Sequence, residues 1–231
     1  MFLRNRSDQP GPRGATASRP GRMLGASAIA SVPAKMLLAG PAAAYNGNAA
    51  ANYADTYATT ENSAFVSYDP DDCTNFVSQA LQAGGQPNAY GYGDPADLRN
   101  WWEFPKSDVS DIYIFGRPAS YSATVVPDLK TFLINSGWGT AEGNFSYKSG
   151  NPAPPFTPGS VVTGDVLFYD WGQGNGISHA SMQVGIGTDA YGYYGNWVDE
   201  HTSNRKHIFW TLRPVNAYFA DTTIYYVHVS V

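Results

Sequence analysis

The sequence predicts an α+β fold, with helices packed on a C-terminal antiparallel sheet. Three observations predict it. Apolar residues recur at helical spacing between residues 47 and 136. From residue 166 onward they alternate at the period of two that marks strands. Clusters of Gly, Pro, Asn and Asp separate these stretches and supply turns.

The elements follow in order. Residues 45–60 are Ala-rich, and Tyr53 and Tyr57 stand four apart, which predicts a first helix over about 47–59. Residues 61–72 read as a loop, with Pro70 and Asp69, Asp71 and Asp72 as turn and cap chemistry. The next helix begins at Cys73. Phe76, Val77, Ala80 and Leu81 form its apolar stripe, Asp71 or Asp72 can cap it, and Gly84-Gly85 ends it. Residues 86–123, rich in Gly, Pro and aromatics, read as a long surface excursion. A third helix is expected over 124–136, with Pro127 in its first turn and Gly137 as its stop. Residues 149–160 are Pro/Ser/Gly-rich loop. Strands are expected at 166–169, 178–187, 194–202 and 222–230. In the second of these, Ala180, Met182, Val184 and Ile186 fall on one face, and His179, Ser181 and Gln183 on the other.

Composition narrows the function classes. With 43% hydrophobic and 14% charged residues the chain is globular rather than disordered. Its 14 basic and 19 acidic residues are unevenly placed. Residues 1–44 hold Arg4, Arg6, Arg13, Arg19, Arg22 and Lys35 against one acid, Asp8. The remainder is strongly acidic, the wrong sign for non-specific nucleic-acid binding. The segment 1–44 runs from a basic start through an apolar middle to Ala42-Ala43-Ala44, the pattern of an export signal. A disordered leader is the alternative. The division expected is therefore a leader, 1–44, and one domain, 45–231, secreted or cell-wall-associated. No stretch of about 20 apolar residues suggests a membrane span.

The chain has one cysteine, Cys73. Placed in the first turn of a helix, its sulfur meets the positive end of the helix dipole and unpaired N–H groups. Both favour the thiolate, the nucleophilic form. The same N–H groups can receive an oxyanion. A base has to come from elsewhere, and His179, heading a strand after a Gly-rich loop, is the candidate. A third group should orient its ring. The segment 197–205 offers His201 first, with Glu200, Asp199 and Asn204 behind it. His207 and His228 lie outside any motif and read as structural. Asp69, Asp71 and Asp72 lack the spacing of a calcium loop. Asn75 and Gln79 read as ties between loops, and Trp101, Trp102 and Trp171 as core or as a sugar-stacking surface.

The run Asp72-Cys73-Thr74-Asn75-Phe76-Val77-Ser78-Gln79-Ala80-Leu81, followed by Gly84-Gly85, resembles the cysteine signature of the putative amidase domain family. Trp101-Trp102, the segment Gly164 to Trp171, Ile177-Ser178-His179 and His201 to Arg205 match further segments of that family in order. The resemblance implies a papain-like fold of the permuted NlpC/P60 type. It also implies amide hydrolysis through a thioester at Cys73 and His179, with no metal or other cofactor. A peptide or amide substrate follows, with cell-wall peptidoglycan the substrate of many exported relatives. Two rivals stand beside this reading: an inactive wall-binding module of the same fold, and a transamidase using the same residues.

Overall fold

A computed structural model describes residues 44–89, 93–146 and 161–230. The expected leader, all but its last residue, and the whole of the expected 149–160 loop lie outside the described residues.

The expected helices form where the pattern placed them: α1 over Gly47–Tyr57, α2 over Cys73–Ala83 and, after two short helices, α5 over Val126–Ser136. The Asn46 side chain accepts from the Ala49 N–H and starts α1. Gly85, at φ 100°, follows α2, and Gly137, at φ 78°, ends α5 in the left-handed conformation that glycine tolerates best. The two short helices are α3 (Val109–Phe115) and α4 (Tyr121–Thr124).

Six strands make one antiparallel sheet: β1 (Gly139–Ser146), β2 (Val166–Asp170), β3 (Ile177–Thr188), β4 (Tyr194–Glu200), β5 (Arg205–Phe209) and β6 (Thr223–Val229). Their order is β1-β6-β2-β3-β4-β5. The four predicted strands are the interior ones. The two unpredicted ones, β1 and β5, are the edges. Most of β1 is exposed, so its Gly- and polar-rich sequence carries no alternation to read.

Both faces of the sheet are covered. On one, Val166, Phe168, Ala180, Met182 and Val227 meet Phe76, Val77, Ala80, Leu129 and Phe132 from the helices. On the other, Leu167, Tyr169, Val198 and Tyr226 pack with Phe209, Trp210 and Leu212. Burying a side chain such as Leu129 or Phe132 contributes roughly 1.5–3 kcal/mol relative to exposure. Two-sided burial explains why Val166 to Tyr169 is a continuous apolar run. It also buries the polar face of β3, with His179, Ser181 and Gln183.

The stretch 86–123 is also corrected. It is no surface excursion: Trp101, Trp102, Glu103 and Phe104 are buried. Trp101 stacks on Phe132 and meets Trp138 edge-on, while Trp102 packs against Phe104 and Phe115. These aromatics cannot be left in water at so large a cost in apolar exposure, so the loop folds inward.

Helix α1 lies backbone-to-backbone on the turn before β2. A Cβ on Gly164, which sits at φ 96°, would come 2.2 Å from the Gly47 Cα. The Tyr45 hydroxyl donates to the Gly164 carbonyl at 2.7 Å and closes the junction.

Candidate active site

The start of α2 meets the start of β3. Cys73 is the first residue of α2, and its sulfur meets the His179 ring, the Ala180 backbone N–H and the Thr74 hydroxyl, the last at 3.8 Å. The structure thus brings together the two side chains separated by more than a hundred residues of sequence. The site is buried but open on one side. Cys73 and His179 line a groove of about 660 Å³ with Trp171, Ser178, Thr202 and Tyr218. Trp171 stacks on His179, ring centroids 5.4 Å apart, and forms a wall of the groove, whereas Trp101 and Trp102 are core.

The group that holds His179 is Glu200. Nε2–H of His179 donates to Glu200 Oε2 at 2.5 Å, which leaves Nδ1 for the sulfur. Arg205 Nη1 donates to the other carboxylate oxygen, Oε1, at 2.5 Å. Glu200 is the last residue of β4 and Arg205 the first of β5, paired across the ladder. The tight turn between them delivers the cation to the carboxylate.

The electrostatics of this chain run one way. Burial opposes the Cys73 thiolate, but His179, the Ala180 N–H and Thr74 more than offset it, and the thiol pKa falls. Burial opposes the His179 imidazolium too, yet Glu200 and the sulfur hold its pKa up at about 10. For Glu200 the burial penalty is outweighed by His179 and Arg205, so its pKa is lowered. Each shift favours the charged form: thiolate, imidazolium and carboxylate in a row. Such a row can attack a carbonyl carbon without first losing a proton and can then donate a proton to the leaving group.

His201 was expected to orient His179, and the structure corrects that expectation. Its Nδ1 donates to Asp72 Oδ2 at 2.8 Å and its Nε2 to the Tyr57 carbonyl at 2.7 Å. Both nitrogens are spent, and the ring stacks on Phe76 at 4.1 Å between centroids. Burial works against its protonation, but Asp72 and the Tyr57 carbonyl raise its pKa. A ring that donates from both nitrogens keeps no lone pair to act as a base. Among the alternatives, Asp199 accepts from the His207 N–H instead, and Asn204 sits in the β4–β5 turn at φ 47°.

Asp72 occupies the cap position of α2 but does not cap it with its side chain. Its Oδ1 accepts from the Tyr68 N–H at 3.1 Å and its Oδ2 from His201. The first N–H groups of α2 therefore keep no carboxylate of their own. Asn75 and Gln79 tie the helix to the inward loop: both donate to Glu103 Oε1, at 2.7 and 3.2 Å. His228 pairs with Asp165, and His207 with Asp55. Arg205 was part of a sequence motif without an assigned role. Its signal was only its position after the Glu200-His201 pair, and side-chain pairing across a turn is not legible from that.

The chain matches the family described as "Putative amidase domain" over residues 44–227 and belongs to it. It is 28% identical over 192 residues to the uncharacterized protein YhbB of Bacillus subtilis, a match spanning 82% of this chain and 52% of YhbB. A shorter stretch of 43 residues is 54% identical to the uncharacterized protein YjcM of the same organism, 19% of this chain and 10% of YjcM. The chain thus spans about half the length of YhbB and a tenth of YjcM. No solved structure matches it. Among the described residues no helix is long and apolar enough to cross a membrane.

Proposed function

We propose that this protein is a cysteine amidase of the papain-like, permuted NlpC/P60 type, in which Cys73 is the nucleophile and His179 its acid–base partner. The observation that carries the proposal is the contact of the Cys73 sulfur with a His179 ring whose far nitrogen is held by Glu200, on the floor of an open groove.

The thiolate attacks the carbonyl carbon of an amide, and the carbonyl oxygen becomes an oxyanion. The Cys73 N–H at the uncapped start of α2 receives it. The imidazolium of His179 gives its proton to the departing amine as the C–N bond breaks, leaving a thioester. Water then attacks the thioester carbonyl, His179 takes the water's proton, and Cys73 leaves as thiolate. Glu200 holds the ring in the useful orientation and stabilises its charge. His201 acts as a positioning residue: by drawing the Asp72 carboxylate aside it keeps that anion off the N–H groups the oxyanion needs.

The substrate is a peptide or amide, with the peptide of cell-wall peptidoglycan as the candidate supported by the export-like pattern of residues 1–44. Secretion or attachment to the wall belongs to the same reading. The test is digestion of purified peptidoglycan and of peptide amides, with new termini identified by mass spectrometry. Wild type releases products. Cys73→Ala lowers turnover by about three orders of magnitude or more while its circular dichroism and melting stay unchanged. A Cys73→Ala variant that works normally removes the mechanism. A wild-type protein that binds peptidoglycan without cutting it is a wall-binding module.

A further inference from the structure

We infer that Asp55, Asp199 and His207 form a binding site for one divalent transition-metal ion, which ties helix α1 to strands β4 and β5. One donor atom from each residue lies within 4.8 Å of the others. The three come from separate elements and none belongs to the thiol site.

The pointer to a ligand is Asp199. The residue is 0% exposed. Its Oδ1 accepts from the His207 N–H at 2.6 Å, and among the described residues no N–H group reaches its buried Oδ2. The side chain beside it is another acceptor, the carboxylate of Asp55. Two carboxyl groups side by side, one of them fully buried, are costly as anions unless a shared proton or a cation joins them. Lys206 approaches from the Asp55 side. Its Nζ donates to the Asp55 main-chain carbonyl at 2.8 Å and stands 3.5 Å from Asp55 Oδ1, on a side chain 40% exposed.

The imidazole is already aimed and held. His207 Nε2 lies 2.6 Å from Asp55 Oδ1. Its ring stacks on Trp197 with centroids 4.3 Å apart and planes 6° off parallel. Its backbone is held at φ 52°, a conformation that L residues adopt rarely, by the hydrogen bond to Asp199. An ion takes the Nε2 lone pair of the neutral ring, whose one proton then sits on Nδ1, and one oxygen from each carboxylate. Two carboxylates and one imidazole suit zinc or manganese better than calcium or magnesium, which prefer all-oxygen sets. Water completes the coordination on the side of Asp55, which is half-buried.

A proton shared by the two carboxyl groups is the competitor. Burial, and then Asp55, holds the Asp199 carboxyl up at about 7. The test is therefore made in mildly alkaline buffer, which favours deprotonated ligands. The probe is Zn²⁺, titrated calorimetrically into the full chain after chelation, with Cys73 carboxamidomethylated so that the thiolate cannot take the ion. One Zn²⁺ per chain is expected, with a melting temperature about 5 °C higher at a hundredfold excess over Kd. Mg²⁺ gives no such rise. His207→Gln and Asp199→Asn abolish the rise, and Asp55→Asn weakens binding at least tenfold. If Asp199→Asn does not fold, Asp55→Asn, at a half-exposed position, still decides. No Zn²⁺ bound, or binding that survives both Asp55→Asn and His207→Gln, overturns the site.

Discussion

Two glutamates of this protein are about equally buried, yet one is held as a carboxylate and the other is pushed toward the neutral acid. Glu200 is 1% exposed and Glu103 is 2% exposed. Glu200 meets an imidazolium on one oxygen and a guanidinium on the other, and its pKa is lowered. Among the described residues Glu103 accepts from the amides of Asn75 and Gln79 on Oε1 and from nothing on Oε2, and burial drives its pKa well above the usual carboxylate range. Burial alone thus predicts nothing about a carboxyl group. The partner decides whether it becomes an electrostatic device or a neutral piece of packing. One lies at the mouth of a groove, and the other joins α2 to an inward loop.

The largest effect expected from breaking this contrast is Glu200→Gln. It removes the charge that holds His179 at about 10, so the ring's pKa moves down toward the ordinary histidine value. The thiolate–imidazolium pair exists between the Cys73 and His179 pKa values, so its window narrows from the alkaline side. Turnover should fall about a hundredfold or more, and the alkaline limb of the kcat/KM profile should shift to lower pH. An alkaline limb unmoved in the variant contradicts the role given to Glu200.

Arg205→Ala comes next. It strips one of two cations from Glu200 but leaves the His179 contact. The Arg205 side chain is 33% exposed, so its charge is screened and the expected loss is smaller, about three- to tenfold in kcat. Arg205→Lys, which restores the charge without the fork, should recover part of it. A merely structural Arg205 would lower stability and leave the pH profile where it was.

Glu103→Gln is the smallest. A glutamine has nearly the shape of a protonated glutamic acid. Stability by urea unfolding at neutral pH should change by less than about 1 kcal/mol and activity should not change. A loss of about 2 kcal/mol or more would mean that Glu103 is an anion, and the contrast with Glu200 would disappear.

The helix-start cysteine was legible because it depends on local rules: an apolar stripe, a glycine stop and a position in the first turn. The interior strands were legible for the same reason, since two covered faces leave an apolar run or an alternation. The edges β1 and β5 were not, because most of β1 is exposed on both faces and β5 is only 5 residues long, so neither carries an alternation to read. The inward fold of 86–123 was missed because its Gly and Pro content speaks of turns, while its destination depends on Phe132 and Trp138, which follow it in the chain.

His201 against Glu200 is the sharpest case. The two are adjacent, and the sequence pointed to the right strand but to the wrong neighbour. A strand sends consecutive side chains in different directions, and which one meets His179 is set by the β3–β4 register and by the irregularity at the end of β4. By itself the sequence determined the fold class, the family, the cysteine at a helix start and the histidine at a strand start, because each rests on residues close together along the chain. Only the tertiary structure decided who holds His179, where His201 donates, and that Asp55, Asp199 and His207 converge. Those pairings join residues far apart in the chain or choose between adjacent ones, and a hydrogen bond of 2.5 Å depends on where the strands finally lie.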